Sequence, residues 1–477
     1  MLDQIIKVVR EGQTKRAPVE RAADIITGHF VPFVVLVGII TFVVWLSLGL
    51  AGALPASYLD SGEGGWALWA LRFAIAVFVI ACPCGIGLAA PTAMFVGGGM
   101  AAQHGILVKG GGEAFQEAST LDCIVFDKTG TLTQGGDPCV TDYEYTNEGE
   151  EAEILACVRM LEESSSHPVA KAIATFCAQR SSLNVETNDI EELPGKGIKG
   201  SARIRMETMD VLIGNERLMS DFNVLIPSIQ ASTLIKWKEQ GKSIALAATR
   251  SPSSSAWTLT SFFAISDALR PEAASIIRSL QSRNIAVWML SGDNPITAQA
   301  VGAQVGIHPD SIIAGVLPEQ KAQKIQYLQK TLPKKRGKSH ATVAMVGDGI
   351  NDSPALTMAD VGIAIGSGSD VAISSASFIL VSSNLTSLLT LIDLSRTVFR
   401  RVWFNFGWAL IYNCIAMPVA AGVLYPVMSK GQHVRLDPVW AALAMALSSV
   451  SVVCSSLLLR SPIPGVGFRA LKSVSGK

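Results

Sequence analysis

Four long apolar segments, arranged as two close pairs, constrain the fold of this chain more than any other feature. They cover residues 31–54, 66–96, 402–427 and 438–459, and Arg72 is the one charged residue among them. Each segment is long enough to cross a hydrocarbon core of about 30 Å as a helix. A short loop joins the two members of each pair, so each pair predicts a membrane hairpin.

Basic residues flank the outer ends of these hairpins. Arg400 and Arg401 precede the third segment and Arg460 follows the fourth. Since cytosolic flanks of membrane spans are enriched in Lys and Arg, both chain ends are expected in the cytosol. Residues 1–21 are polar and basic, with no apolar core and no small-residue cleavage site, so they are not a signal peptide. We expect a helical lead-in there, with a disordered tail as the alternative.

The composition agrees with a membrane protein and indicates no nucleic-acid partner. Hydrophobic residues make up 49% and charged residues 16% of the chain, and the mean hydropathy is +0.37. Lys+Arg and Asp+Glu are equal, at 39 each, so no basic surplus is available for a phosphate backbone. The eight cysteines are scattered apart from Cys82 and Cys84, which favours reduced thiols over a disulfide framework.

The region between the hairpins repeats one layout, in which a buried strand ends on a loop with acids, hydroxyls and glycine. The strands and their loops are Cys123–Asp127 with Lys128-Thr129-Gly130-Thr131, Ala286–Leu290 with Ser291-Gly292-Asp293, 342–346 with Gly347-Asp348-Gly349-Ile350-Asn351-Asp352, and Val361–Ile365 with Gly366-Ser367-Gly368. In open α/β sheets, ligands bind at these strand ends. One Asp-Gly alone is usually a turn, but several on one sheet predict a site.

Asp127 is the candidate nucleophile of that site. A carboxylate can attack the terminal phosphoryl group of ATP if Mg²⁺, a cation and backbone N–H groups neutralise the transferring oxygens. The first strand is followed by a polar stretch that alternates helix-like and strand-like segments up to residue 266. This stretch is typical of a domain inserted into a surface loop of another.

Cys82-Pro83-Cys84 lies in the middle of the second apolar segment. Proline lacks an N–H and breaks the helix, which is tolerated at membrane depth only where protein or a pathway covers the backbone. Unwinding would let both sulfurs face one cavity, and paired thiolates favour soft ions such as Cu(I), Zn(II) or Cd(II). Two buried apolar cysteines beside a kink remain an equal alternative.

The motifs Asp127-Lys128-Thr129-Gly130-Thr131 and Gly347-Asp348-Gly349-Ile350-Asn351-Asp352 together resemble the signature of the P-type ATPases, ion pumps that pass through an aspartyl-phosphate. The resemblance implies an α-helical multi-pass membrane domain and an α/β haloacid-dehalogenase-like (Rossmann-type) phosphorylation domain with an inserted α+β nucleotide-binding domain. The implied ranges are 1–30 lead-in, 31–100 hairpin with Cys-Pro-Cys, 101–133 and 267–396 phosphorylation domain, 134–266 nucleotide-binding domain, 397–460 hairpin and 461–477 cytosolic tail.

The resemblance also assigns catalytic roles. Asp127 would be phosphorylated, and Lys321 would offset the developing charge. Thr129 and Ser291 would donate hydrogen bonds to phosphoryl oxygens. The family's Thr-Gly-Asp is here Ser291-Gly292-Asp293, which keeps the hydroxyl. The implied Mg²⁺ ligands are Asp127, Thr129, Asp348 and Asp352, and Asp293 and Asn351 are the remaining implied catalytic residues.

In the insertion, Ser166-His167-Pro168 resembles the His-Pro element by which heavy-metal pumps stack the adenine of ATP. The family's glutamate before the histidine is here Ser166. Two glycine-rich elements resemble the family's other nucleotide contacts. The implied ATP-binding residues are His167, Gly195, Gly197, Gly214 and Asn215.

Cys-Pro-Cys in this span resembles the heavy-metal branch of the family, and the later spans resemble its copper type. Zinc and cadmium relatives place ionised Lys and Asp there, and this chain has neither. Thiolates and a thioether without a carboxylate suit Cu(I) or Ag(I). The implied ion ligands are Cys82, Cys84, Tyr412, Asn413, Met445 and Ser449.

The resemblance thus implies ATP and Mg²⁺ as cofactors and Cu(I) as the transported ion. Its implied partners are the lipid bilayer and a cytosolic copper chaperone, with no nucleic acid. The implied location is a Golgi, secretory-pathway or plasma membrane, with the catalytic domains in the cytosol. No Cys-x-x-Cys and no Thr-Gly-Glu loop occurs in the sequence. We therefore expect a truncated pump that lacks the metal-binding and actuator domains and does not turn over rapidly.

Three alternatives stay open from the sequence. One is a zinc or cadmium pump, and another is a non-transporting pump remnant that binds metal or nucleotide. The third, a membrane-anchored phosphatase of the haloacid-dehalogenase type, would share Asp127 and Asp348 but has no need of Cys82-Pro83-Cys84 or of the insertion.

Overall fold

The computed structural model describes residues 17–59, 64–134, 138–146, 151–165, 167–183, 185–204, 207–251, 256–334, 338–348, 352–366, 374–382, 384–429, 432–463 and 465–469. The helices are α1 (Pro18–Leu50), α2 (Trp66–Ile80), α3 (Cys84–Gln103), α4 (Gly111–Ser119), α5 (Glu151–Glu162), α6 (Pro168–Arg180), α7 (Glu216–Asp221), α8 (Ser228–Glu239), α9 (Ala273–Gln281), α10 (Pro295–Val305), α11 (Pro318–Thr331), α12 (Ser353–Met358), α13 (Thr386–Ala420) and α14 (Pro438–Leu457). The strands are β1 (Ile106–Val108), β2 (Cys123–Asp127), β3 (Cys139–Tyr145), β4 (Glu186–Leu193), β5 (Gly197–Ile204), β6 (Glu207–Gly214), β7 (Ser243–Arg250), β8 (Thr258–Ser266), β9 (Ala286–Leu290), β10 (Ile312–Ile313), β11 (Val343–Gly347), β12 (Val361–Ile365), β13 (Phe378–Leu380), β14 (Met428–Ser429) and β15 (Gln432–His433).

These elements form two compact units, a helical unit and an α/β unit. The helical unit comprises Met1–Thr120, Ser377–Ser382 and Thr386–Lys477, and the α/β unit comprises Leu121–Ala376 and Ser383–Leu385. The boundary at Leu121 falls later than residue 101, where the sequence places the start of the phosphorylation domain. The reason is that β1 pairs with β13, and α4 packs on α13, inside the helical unit.

The described residues of the helical unit include four segments long and apolar enough to cross a membrane, which confirms the predicted membrane helices. They are Pro18–Leu50, Trp66–Gln103, Thr386–Ala420 and Pro438–Arg460. The first and third begin well before the predicted apolar segments, because a helix continues through polar residues that the hydropathy pattern excludes. The predicted lead-in is described from residue 17, where it becomes the start of α1, and residues 1–16 lie outside the described part.

The second of these segments is interrupted in its middle. α2 ends at Ile80 and α3 begins at Cys84. Pro83 has no N–H to donate, and the backbone resumes its helical hydrogen bonds where Ile86 N donates to the Pro83 carbonyl at 3.0 Å. The break predicted from Cys82-Pro83-Cys84 is therefore present.

Small and polar residues hold the helices of this unit together. A side chain on Gly97 of α3 would overlap Val398 of α13, so glycine permits the close approach of these helices. Asn405 is fully buried; its amide donates to Ser456 Oγ at 2.9 Å, and it accepts from Ser455 Oγ at 2.6 Å. These bonds connect α13 to α14.

A parallel sheet forms the centre of the α/β unit. Its strands lie in the order β12-β11-β2-β9-β10, and all neighbouring pairs are parallel. Every residue of β2, β11 and β12 is buried. Burial on both faces explains why these strands appear in the sequence as continuous apolar runs.

A six-stranded antiparallel sheet, in the order β3-β8-β7-β6-β5-β4, forms the rest of this unit. Ile154 of α5 and Ile173 of α6 pack with Phe263 on one face. Trp237 of α8 packs with Phe262 on the other. Successive residues of β8 thus point into opposite cores, as the pleat of a strand requires. The α/β and α+β parts of the predicted fold are confirmed.

Candidate functional site

Three neighbouring parallel strands bring the predicted catalytic residues to one edge of the α/β sheet. β2 ends at Asp127, Ser291 follows β9, and Asp348 follows β11. β2 lies between the other two strands. Because the carboxyl ends of parallel strands share an edge, Asp127 occupies the middle of the site.

Lys321 connects two of the predicted carboxylates. Its ammonium group donates to Asp127 Oδ1 at 2.7 Å and to Asp352 Oδ1 at 2.6 Å. Asp127 and Lys321 are each 6% exposed and Asp352 is 2% exposed. Lys321 reaches the site from the first turn of α11, which starts with Pro318. These buried, charge-assisted hydrogen bonds fix the orientation of the Asp127 carboxylate.

The carboxylates of Asp127, Asp348 and Asp352 form a group in which each offers one oxygen, and these oxygens lie within 4.8 Å of one another. Hard oxygen ligands at this spacing suit Mg²⁺, which binds through one or two carboxylates and completes its shell with water and phosphate. The donor set therefore fits the predicted cation.

Burial raises the pKa of two of these carboxyl groups, Asp127 and Asp348. Burial, and then the nearby Asp352 carboxylate, raises the pKa of Asp127 to about 7, against the opposing effect of Lys321. Burial, and then Asp127, raises the pKa of Asp348 to about 6. Burial alone would lower the pKa of Lys321, but Asp127 and Asp352 outweigh it and hold that pKa above its usual range. The excess of negative charge favours a bound cation.

The turn after Asp127 needs glycine at one position. Gly130 has a φ of +71°, and a Cβ there would overlap the Asp348 carboxylate. Thr133 closes the turn, since its hydroxyl accepts from Gly130 N at 2.9 Å and donates to the Lys128 carbonyl at 3.1 Å. The turn therefore brings its backbone close to the Asp348 carboxylate.

Arg270, which the sequence analysis did not single out, also holds this turn. Its Nε donates to the Thr131 carbonyl at 2.8 Å and its Nη2 to the Gly130 carbonyl at 2.7 Å. Thr131 is fully buried, and its hydroxyl has no hydrogen-bond partner among the described residues. No sequence signal identifies Arg270, because its partners are about 140 positions away.

The remaining predicted catalytic residues lie around this centre or outside the described residues. Asp293 forms an ion pair with Lys128, and its backbone N–H donates to Ser291 Oγ at 3.1 Å. Thr129 is exposed. Asn351 lies outside the described residues, so its predicted role stays a prediction.

The structure brings the glycine-rich elements of the insertion together. Gly197 pairs with Gly214 across β5 and β6, and a Cβ on either glycine would overlap the opposing backbone. Asn215 caps α7 by accepting from Leu218 N at 3.1 Å, and its amide donates to the Gly195 carbonyl at 2.9 Å. Close backbone packing thus accounts for these residue types, in addition to any contact with nucleotide.

His167 begins α6 as its N-cap, with Nδ1 accepting from Val169 N at 3.2 Å. His167 is otherwise exposed.

A buried carboxyl group, Glu162, lies at the end of α5. It is only 7% exposed, and burial followed by the Glu192 charge raises its pKa to about 7. Glu162 belongs to none of the recognised motifs; its position on the apolar face of a helix was the available sequence signal.

Cys82 and Cys84 correct one expectation. Their sulfurs meet at the break between α2 and α3, as unwinding at Pro83 predicts, but they form a disulfide. The expectation of reduced thiols is therefore wrong for this pair. The physical reason is that unwinding at Pro83 places the two sulfurs next to each other rather than on different sides of a helix. The six other cysteines, all of which lie among the described residues, are free.

The later spans pack around this break. Beside Gly85 lie Ala409 of α13 and Ser448 of α14. Tyr412 joins the apolar cluster that contains Ala81, and its buried hydroxyl has no hydrogen-bond partner among the described residues.

The other predicted ion ligands lie on the same two helices. Asn413 is buried, at 4% exposure. On α14, Met445 and Ser449 are half-buried, and the Ser449 hydroxyl donates to the Met445 carbonyl at 3.3 Å. That hydroxyl is therefore engaged within its own helix.

Known proteins resemble the chain over most of its length. The family model of the haloacid dehalogenase-like hydrolases matches residues 121–360. The chain is 42% identical over 465 residues to the "Probable copper-transporting ATPase HMA5" of Arabidopsis thaliana, which covers 96% of this chain and 44% of that protein. It is 40% identical over 461 residues to the copper-exporting P-type ATPase of Staphylococcus aureus (strain Newman), covering 96% of this chain and 51% of that protein. The chain thus spans about half the length of these relatives.

A solved structure of a zinc-transporting PIB-type ATPase in the E2.Pi state also resembles the chain. The TM-score is 0.62 at 28% identity, over 95% of this chain and 66% of that structure. Together with the strand-end carboxylates around Asp127, these similarities show that the chain is a homologue of the copper-transporting P-type ATPases and belongs to the haloacid dehalogenase-like hydrolase family.

Proposed function

We propose that this protein exports Cu(I), and also Ag(I), across a membrane by using ATP to phosphorylate Asp127. The observation that carries the proposal is the buried cluster in which Lys321 holds Asp127 beside two further carboxylates. This cluster supplies a positioned nucleophile and a charge-neutralising cation in a site shielded from water.

In the proposed reaction, an oxygen of Asp127 attacks the γ-phosphorus of ATP. A new bond forms between that oxygen and phosphorus, the bond from phosphorus to the bridging oxygen breaks, and ADP leaves with the electron pair. Lys321 offsets the negative charge on the transferring group. Arg270 and Thr133 keep the turn at Gly130 in place, so that the turn beside Asp127 is preorganised.

Asp127, Asp348 and Asp352, with the Thr129 carbonyl, would hold Mg²⁺. The ion would supply positive charge against the phosphoryl oxygens. Ser291 and Thr129 would donate hydrogen bonds to the same oxygens.

We place the adenine of ATP at His167 and the rest of the nucleotide near Gly195, Gly197, Gly214 and Asn215. A geometric observation supports this placement: Gly195 lies against Leu317, the N-cap of the helix that carries Lys321. Nucleotide bound at the glycines would therefore lie beside the start of that helix.

For the ion, we propose that Cys82 and Cys84 act as thiolates once their disulfide is reduced. Tyr412, Asn413, Met445 and Ser449 would complete or surround the coordination. The segments 402–427 and 438–459 contain no charged residue, which suits a monovalent soft ion better than a divalent one. The similarity to the copper-transporting ATPase of Arabidopsis thaliana and to the copper-exporting ATPase of Staphylococcus aureus supports the same choice.

The main alternative is a zinc pump. It is favoured by the likeness to the zinc-transporting PIB-type structure, at a TM-score of 0.62. Delivery of the ion by a cytosolic copper chaperone, and residence in a Golgi, secretory-pathway or plasma membrane, belong to the leading proposal.

The test is metal-dependent phosphorylation of the reduced chain in detergent, with ATP labelled in the γ-phosphate. We expect acid-stable label with Cu(I) or Ag(I) but not with Zn(II), and loss of the metal dependence in Cys82→Ser/Cys84→Ser. Cys414 is a free cysteine elsewhere in the helical unit. The matched control Cys414→Ser should retain metal-dependent phosphorylation. Label that appears with Zn(II) and not with Cu(I) would replace the copper proposal by the zinc one.

A further inference from the structure

A short β-ribbon in the loop between the last two membrane helices pairs a methionine with a histidine. β14 and β15 are antiparallel, and Met428 lies opposite His433. Neither residue has a role in the proposed reaction. Both side chains carry atoms that bind soft metal ions, the thioether sulfur and the imidazole nitrogen.

The register of the ribbon places these side chains together. The next pair outward, Val427 and Val434, is a hydrogen-bonded pair, since Val434 N donates to the Val427 carbonyl at 3.0 Å. Hydrogen-bonded and non-hydrogen-bonded pairs alternate along an antiparallel ladder. Met428 and His433 therefore form a non-hydrogen-bonded pair, in which the Cβ atoms lie on one face about 4.5–5.5 Å apart.

The hydrogen bond of the His433 ring determines which nitrogen is available. Nδ1 lies 3.0 Å from the Tyr425 carbonyl. A carbonyl only accepts, so Nδ1 carries the proton and Nε2 of the neutral ring has a free lone pair. Among the described residues, Nε2 has no hydrogen-bond partner. Histidines that bind metals typically donate their other N–H to a carbonyl in this way.

An aromatic cluster holds the ring in position. The His433 ring stacks on Tyr425 at a centroid distance of 4.7 Å, and Tyr58 contacts it edge-on at 4.6 Å. Tyr425 is only 2% exposed, and its hydroxyl donates to the Tyr58 carbonyl at 3.1 Å and accepts from Trp69 at 3.3 Å. The histidine is thus preorganised, whereas Met428 is 63% exposed and accessible.

We propose that Met428 and His433 form a second soft-metal site, which takes Cu(I) or Ag(I) through the thioether sulfur and Nε2. The inference rests on the proposed function, because that function delivers Cu(I) along the helical unit. α2 starts at Trp66, near this aromatic cluster, and ends just before Cys82. At 1.5 Å per helical residue, the stretch from Trp66 to Cys82 spans about 24 Å. The ribbon therefore lies toward the far end of α2 from the cysteine pair, and it would receive the ion after the cysteines.

The test is a count of bound Cu(I) on the full chain in detergent, by anaerobic competition with a chromophoric Cu(I) chelator. The Cys82→Ser/Cys84→Ser chain serves as background, so that the ribbon is measured without the cysteine pair. In this background, Met428→Ile and His433→Phe should each remove one bound Cu(I). Phe keeps the stacking on Tyr425, and Met428 is too exposed for Ile to disturb the fold.

His29 provides the matched control. Its Nδ1 also lies against a backbone carbonyl, that of Ile25 at 2.9 Å, but no thioether lies beside it on its helix. His29→Phe should leave the count unchanged. Equal counts for the background and both ribbon variants would overturn the site. Equal counts for the wild type and the background would instead contradict the proposed function, because the cysteine pair would then take no Cu(I).

Discussion

Lys321 donates a hydrogen bond of 2.7 Å to Oδ1 of Asp127, although the two residues are 194 positions apart in the sequence. The same ammonium group contacts Asp352 at 2.6 Å. One buried cation therefore contacts two buried carboxylates. Removal of this cation would take from both carboxylates the buried ammonium group that they share.

Lys321→Ala should abolish phosphorylation of Asp127 and destabilise the α/β unit. Loss of one partner from a buried ion pair costs about 3–5 kcal/mol. Phosphorylation is measured with γ-labelled ATP, and stability by hydrogen exchange of the strands around Asp127. Lys324→Ala, which alters an exposed lysine on the same helix, should change neither. Normal labelling of Lys321→Ala would exclude a role for this residue.

Gly130→Ala should reduce phosphorylation by about 100-fold, as expected when a reacting group is displaced by about 1 Å. Its Cβ would overlap the Asp348 carboxylate, and its φ of +71° adds strain of about 1–2 kcal/mol. Gly306→Ala separates the two effects, because Gly306 has a φ of +85° with no atom within 4 Å of the added Cβ. The Gly306→Ala variant should lose about as much stability as Gly130→Ala but should be phosphorylated at the wild-type rate. Equal labelling rates for Gly130→Ala and Gly306→Ala would contradict an effect of the overlap with the Asp348 carboxylate.

Arg270→Ala should slow phosphorylation by about tenfold, equivalent to about 1.4 kcal/mol in the barrier. The guanidinium holds the carbonyls of Gly130 and Thr131, so its loss loosens the turn without removing a group that contacts phosphate. The rate of labelling in single-turnover experiments measures the effect. Arg278, whose Nε bonds a carbonyl of its own helix, supplies the control Arg278→Ala, which should label at the wild-type rate.

Glu162→Gln should stabilise the insertion at pH 8 and have no effect at pH 4. Burial raises the pKa of Glu162 from 4.5 to about 7, so between these values the folded state holds a proton that the unfolded state has lost. Stability therefore falls as pH rises through this window, by about 3 kcal/mol. Hydrogen exchange of α5 at both pH values checks this, with Glu163→Gln at the exposed neighbour as control. If Glu162→Gln stabilised the insertion as much at pH 4 as at pH 8, the raised pKa of Glu162 would be contradicted.

Local patterns predict much of this fold. β2, β9 and β12 have the bounds expected from the sequence, and β11 begins one residue late, because buried parallel strands are continuous apolar runs that end at glycine or acid. The helical break at Cys82-Pro83-Cys84 follows from proline chemistry. By contrast, β4 was not predicted, since its charged, mostly exposed residues, such as Glu191 and Glu192, lack an apolar pattern.

The sequence identifies several residues of the site, but it does not predict which of them contact one another. Asp127, Asp348 and Lys321 follow from motifs, whereas the Arg270 bonds depend on how distant segments pack. The bonded state of Cys82 and Cys84 also lies beyond sequence reasoning, because a spacing of two gives different sides of a regular helix and the outcome depends on local unwinding.

The most direct test of the account is acid-stable labelling of the purified, reduced chain by γ-labelled ATP with Cu(I), with Asp127→Asn compared with Asp122→Asn. Asp122 immediately precedes the same strand, where it accepts from Thr342 N at 2.9 Å, and asparagine can keep this bond. We predict that label appears on the wild type and on Asp122→Asn and is absent from Asp127→Asn. Label that persists in Asp127→Asn, or that is absent from the wild type, would contradict phosphorylation of Asp127 as the central step.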